Sequence, residues 1–111
     1  MELKAQNLAY DDVLLTDLNY RIGTNDPYAL ERCVLDLYLP KNKDFATIVW
    51  FHGGGLTSGN KYIPEGLKKK GMAVVAVNYR LYPKVKSPTF VDDAAAAVAW
   101  VFQNITFYGG D

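Results

Sequence analysis

Leu18, Tyr20 and Ile22 alternate with polar neighbours, the period-2 pattern of a half-buried strand. Residues 1–24 therefore read as a small antiparallel start, closed by the turn cluster Thr24-Asn25-Asp26-Pro27. A second strand is expected over Cys33–Leu39, with Leu35, Leu37 and Leu39 on one face and Pro40 ending it. The pattern then changes. Thr47–Phe51 is a continuous apolar run, which suits a strand buried on both faces. Ile63–Lys70 reads as a short helix closed by Gly71. Met72–Val77 is a second apolar strand. Ser87 is placed as an N-cap with Pro88 at the first helical position of a longer helix. Val91, Ala94, Ala95, Val98, Val101, Phe102 and Ile105 form its apolar stripe, and Gly109-Gly110 stops it.

The order is antiparallel lead-in strands, then strand–helix–strand–helix with right-handed parallel crossovers, an α/β architecture. A βα series that stops after a helix lacks its next strand. Residues 1–111 are accordingly expected to be the N-terminal portion of a single larger domain, with an incomplete sheet.

Composition narrows the function classes. The chain is 50% hydrophobic and 22% charged, which excludes a disordered tail. Twelve basic residues balance twelve acidic ones, leaving no electrostatic footprint for nucleic acid or an anionic membrane. No apolar run approaches the ~20 residues of a bilayer span. The first seven residues show no signal-peptide h-region, so the compartment stays open between cytoplasmic and exported with the signal removed. Cys33 is the only cysteine and His52 the only histidine, so neither a disulfide nor a cysteine-based metal site is expected, and no cofactor is called for.

The chemistry concentrates in His52-Gly53-Gly54-Gly55-Leu56-Thr57-Ser58-Gly59, directly after an apolar strand. Consecutive glycines let backbone N–H groups approach a ligand closely and adopt positive φ. Two such donors aimed at one point make an oxyanion hole, each worth about 3 kcal/mol of transition-state stabilisation. A glycine-rich turn without chemistry is the competing reading. Two phosphate-binding readings fail: GxGxxG needs glycine where Ser58 stands, and a P-loop needs Gly-Lys-Ser/Thr where Gly59 is followed by Asn60. Gly55-Leu56-Thr57-Ser58-Gly59 fits the spacing of a nucleophile elbow with Thr57 at its centre. Threonine needs an adjacent base, and Thr57 is read as a decoy.

The glycine loop, then Asn78-Tyr79-Arg80-Leu81-Tyr82-Pro83, then Pro88 and Asp93 ahead of a helix with Trp100, together resemble the α/β-hydrolase esterases and lipases of the hormone-sensitive-lipase type, over roughly residues 30–111. The resemblance implies that Gly54 and Gly55 supply oxyanion-hole amides, with a third from the residue after the nucleophile. It implies that His52 and Gly53 shape the loop and that Arg80 buttresses it. It also implies a small or medium acyl ester as substrate, such as acetyl or feruloyl esters of plant polysaccharides, with kynurenine-formamidase-like amides as a further class. The family's nucleophile, acid and base lie beyond Asp111 in chain order. The expected function is thus the N-terminal portion of a serine carboxylester hydrolase, not active by itself, whose partner is its own C-terminal half. The alternative is a non-catalytic binding or interaction fragment.

Among the remaining candidates, Asp92 and Asp93 are read as first-turn carboxylates suiting the helix dipole, and Lys68–Lys70 as last-turn cations. Cys33 is read as an unreactive thiol on a strand. In the resembling fold Thr47–Phe51 lies between two strands, so without the next one its apolar edge is open and prone to association.

Overall fold

The computed structural model describes residues 4–7, as backbone, and residues 12–111. Residues 1–3 and 8–11 of the expected antiparallel start lie outside them. Among the described residues five strands form one sheet: β1 (Lys4–Asn7), β2 (Val13–Asn19), β3 (Val34–Leu39), β4 (Thr47–Phe51) and β5 (Ala73–Val77). Their order across the sheet is β1-β2-β3-β5-β4. β1–β2, β2–β3 and β3–β5 are antiparallel, and β4–β5 is parallel with Phe51 opposite Val77. An antiparallel lead-in thus feeds a parallel crossover.

The first strand sits earlier than its alternation suggests. β2 ends at Asn19, and its pairing with β3 slips between Leu15 and Leu18 around Asp17 at φ 59°. Leu18 and Tyr20 are buried, but Ile22 lies past the strand and is 86% exposed. The turn cluster opens helix α1 (Pro27–Arg32), capped by the Asp26 carboxylate on the Tyr28 N–H at 3.0 Å. Cys33 is the C-cap of α1 and fully buried, not an alternating strand position.

The expected helix over 63–70 is a single 3₁₀ turn, Glu65–Leu67. Pro64 precedes it, Gly66 is its centre and Lys68 is already extended. Glycine carries the largest backbone entropy cost in a helix after proline's steric cost, and too few residues remain to offset nucleation. Lys68 therefore pairs locally with Glu65 at 2.7 Å rather than capping a helix.

Helix α2 (Thr89–Asn104) begins one residue later than expected, with Pro88 at the N-cap and no side-chain cap bond from Ser87. Its buried positions are Asp93, Ala97, Trp100 and Val101, while Val91 and Phe102 are 65% and 81% exposed. The apolar stripe is thus rotated from the expected one, because Asp93 is drawn inward by arginines. The core lies between α2 and the sheet: Leu18, Leu35, Leu37, Val75 and Val77 meet Ala97, Trp100, Val101 and Ile105. All five residues of β5 are buried, while those of β4 are intermediate to exposed. Both-face burial of β4 is not observed, and β5 is its only strand partner among the described residues. Just before β4, Phe45 makes a parallel bridge with Gly110, and the Asp111 N–H donates to the Phe45 carbonyl at 3.1 Å.

Candidate active site

The loop of residues 52–59 leaves the C-terminal end of β4 beside the C-terminal end of β5, where open α/β sheets place their ligands. Just past the last register pair, Phe51 and Val77, His52 meets Tyr79. Their rings stack with centroids 4.8 Å apart and planes at 10°. The Tyr79 hydroxyl donates to the His52 carbonyl at 3.3 Å, and His52 is 4% exposed.

Two carbonyls in this loop are held. His52 Nδ1 lies 2.7 Å from the Gly53 oxygen. A carbonyl only accepts, so Nδ1 carries the proton. The Gly54 oxygen accepts from the Thr57 N–H at 3.2 Å and the Thr57 hydroxyl at 3.1 Å, with Ser58 Oγ at 3.5 Å. In a planar trans peptide the C=O and the following N–H point in opposite directions. Holding the Gly53 and Gly54 carbonyls within the loop therefore turns the Gly54 and Gly55 N–H groups the other way. Neither amide donates a hydrogen bond among the described residues.

The glycines differ in what requires them. Gly54 has φ 125°, and a Cβ there would overlap the Ser58 carbonyl. Gly59 has φ 114°, and a Cβ would strike His52 Nδ1 and the Gly53 oxygen. Gly53 has open space at that position and no positive φ.

The hydrogen bonds of the Arg80 guanidinium go to carboxylates and not to the loop. Arg80 donates to Asp93 and Asp26, at 2.7–3.0 Å. The guanidinium on the loop belongs to Arg32, in the last turn of α1. Its Nε donates to the Tyr79 carbonyl at 3.0 Å, and Nη2 donates to the Gly59 carbonyl at 3.2 Å and faces His52 Nε2 at 3.5 Å. Sequence reasoning passed over Arg32. The Asp26-Pro27 helix start was a usable signal for α1, but no pattern reveals which loop its last turn meets.

Asp93 is not merely a dipole carboxylate. Its side chain is fully buried and accepts from the Arg80 backbone, from Arg80 Nε and Nη2, and from Arg21 Nη2 at 3.2 Å. Burial alone would raise its pKa, but the Arg80 bonds outweigh it and hold the carboxyl below the usual range. Asp92 remains exposed on the first turn. Burial, followed by the charge of Asp93, pushes the Cys33 thiol up to about 11. The Thr57 hydroxyl donates to the Gly54 carbonyl and makes no hydrogen bond to His52.

An open cleft of about 540 Å³ lies between the loop and the start of α2, lined by Phe51, His52, Leu56, Tyr79, Phe90 and Val91 among others. No group of three or more His, Cys, Asp or Glu residues that could hold a metal ion occurs among the described residues. No helix among them is long and apolar enough to cross a membrane.

Comparison with known proteins bears on the fold and the family. The BD-FAE family model matches residues 35–111. Lipase 2 of Moraxella sp. (strain TA144) is 35% identical over 69 residues, covering 58% of this chain and 16% of the lipase. Probable carboxylesterase 1 of Arabidopsis thaliana is 30% identical over 89 residues, covering 68% of this chain and 28% of that protein. The crystal structure of Esterase B from Lactobacillus rhamnosis (HN001) superposes with a TM-score of 0.75 at 26% identity, over 96% of this chain and 34% of the esterase. The chain thus spans 16–34% of the length of these relatives. From its fold, its loop and these matches, the chain belongs to the BD-FAE family and carries the N-terminal part of an α/β-hydrolase fold of the esterase and lipase type.

Proposed function

We propose that this chain is the N-terminal portion of one α/β-hydrolase domain in a serine carboxylester hydrolase, and that its loop supplies the Gly54 and Gly55 amides of the oxyanion hole. The observation that carries the reading is the pair of held carbonyls, His52 Nδ1–H on Gly53 and the Thr57 donors on Gly54. They pre-orient two amides before substrate arrives, which is what makes such donors effective. The nucleophile, acid and base come from elsewhere in the intact protein. His52 is unsuited to act as base, since Nδ1 is held by a carbonyl and Nε2 faces a cation.

In the reaction, a serine hydroxyl attacks the ester carbonyl, and its proton passes to the base. The carbonyl oxygen becomes an oxyanion facing Gly54 and Gly55. Collapse expels the alcohol, which takes the proton, and water repeats the sequence on the acyl-enzyme. The apolar lining from Phe51, Leu56, Phe90 and Val91 favours a small or medium acyl group over a charged one, and the cleft volume lies in the range of small-molecule sites. The parallel bridge of Phe45 to Gly110 supports a further strand alongside β4, the position of the missing half.

The test is hydrolysis of p-nitrophenyl acetate, butyrate and octanoate by the intact protein in which this sequence occurs, beside its Gly54→Ala variant. Hydrolysis with kcat reduced about 100-fold or more in the variant is expected. No turnover of any of the esters, or full activity in Gly54→Ala, overturns the reading.

A further inference from the structure

We infer that Arg32 is a positioning residue for the oxyanion loop, acting through the His52 ring on the peptide plane between Gly53 and Gly54. The inference rests on the proposed function for its catalytic consequence, but its structural content is independent of it.

Arg32 has only donors and the Gly53 carbonyl has only acceptors. His52 lies between them, with Nε2 3.5 Å from Arg32 Nη2 and Nδ1 2.7 Å from the Gly53 oxygen. A single protonation state satisfies both neighbours: neutral imidazole with the proton on Nδ1. A proton on Nε2 would face the guanidinium N–H groups and leave a bare Nδ1 against a carbonyl oxygen. The partner on one ring nitrogen thereby selects what the other can do. With Nδ1 as the donor, the Gly53 carbonyl is drawn to the ring and the Gly54 N–H is turned away from it.

Arg32 also fixes where the ring can be. Its Nε bond to Tyr79 O and its Nη2 bond to Gly59 O join the end of β5 to the far end of the loop. The Tyr79 ring stacks on the face of the imidazole. The ring therefore has its plane set by Tyr79 and its hydrogen-bonding sense set by Arg32. Gly59 allows this approach, because a side chain there would occupy the space of His52 Nδ1 and the Gly53 oxygen. The fork geometry matters, since one guanidinium reaches three acceptors, two on the loop and one at the end of β5, which an ammonium cannot do.

The test uses the intact, ¹⁵N-labelled protein, with the His52 signals identified by their loss in His52→Asn. In the wild type the ring is expected to be neutral with Nδ1 protonated and Nε2 bare; an Nε2–H tautomer overturns the inference. Arg32→Met is expected to mix the tautomers, shift the Gly54 amide resonance and lower kcat about 10- to 100-fold with KM little changed. Arg32→Lys recovers part of the loss. A folded Arg32→Met protein with an unmoved Gly54 amide and unchanged kcat also overturns it. Should Arg32→Met fail to fold, the wild-type tautomer still decides. Should the wild type hydrolyse no ester, the functional proposal fails while the tautomer and the Gly54 resonance still test this one.

Discussion

Asp93 takes three hydrogen bonds from the single residue Arg80: Oδ2 from its backbone N–H at 3.0 Å and from Nε at 2.9 Å, and Oδ1 from Nη2 at 2.7 Å. The pair ties the first half of α2 to the segment leaving β5. Arg80 continues to Asp26, the N-cap of α1, at 3.0 Å. The two helices flanking the loop are thus held through one guanidinium.

Removing the buried partner leaves that cation without its main counter-charge. Asp93→Ala is expected to destabilise the intact protein by about 3–5 kcal/mol. Asp26→Ala, which loses a cap and a half-exposed pair, costs about 1–2 kcal/mol. Urea unfolding midpoints of both variants check the ordering.

The same pair makes stability acid-sensitive. The Asp93 carboxyl is more acidic folded than unfolded, so the unfolded chain takes up its proton first. The contribution is fully present above the ordinary carboxylate value of about 4 and is lost as pH falls through the lower folded value. Urea midpoints between pH 7 and pH 3 should decline, and Asp93→Asn should flatten the acid limb.

Cys33 is buried with its thiol pushed up to about 11, so little thiolate exists near neutrality. Folded protein is expected to leave Cys33 unmodified by a disulfide reagent at pH 8, with labelling in denaturant. Peptide mapping of the labelled site distinguishes it from thiols elsewhere in the intact protein.

The loop glycines should separate by function. Gly59→Ala is expected to impair hydrolysis strongly, because its Cβ collides with the His52–Gly53 bond. Gly53→Ala has free space and should retain most activity. Steady-state kinetics on matched folded samples read the difference.

Thr57→Ala keeps the backbone donor to Gly54 and loses the hydroxyl bond. One such bond is worth about 1 kcal/mol, so kcat should fall by less than about tenfold. A fall on the order of 10⁶, as for a lost nucleophile, would restore Thr57 as the reacting group.

Much of the fold was legible in local patterns. The strands over Val34–Leu39, Thr47–Phe51 and Ala73–Val77 and the helix over Thr89–Asn104 follow from apolar runs, turn residues and helical spacing. The glycine loop after a strand pointed to the site. The patterns misled where tertiary contacts compete with them. Asp93 read as a first-turn carboxylate suiting the helix dipole, whereas arginines from two other segments surround it. Ile63–Lys70 read as a helix, but its central Gly66 and preceding Pro64 leave only one turn.

Residue order alone established a strand-first α/β chain with a His-Gly-Gly-Gly loop at a strand end, because periodicity and glycine act over a few neighbouring positions. Only the tertiary structure decided that Arg32, not Arg80, stands on that loop, and that Asp93 sets the rotation of α2. Those outcomes depend on which segments the sheet order brings together, across separations of 20 residues for Arg32 to His52 and 72 for Arg21 to Asp93. A charged side chain reaches whichever partner the packing places within about 3 Å, and no short-range pattern encodes that distance.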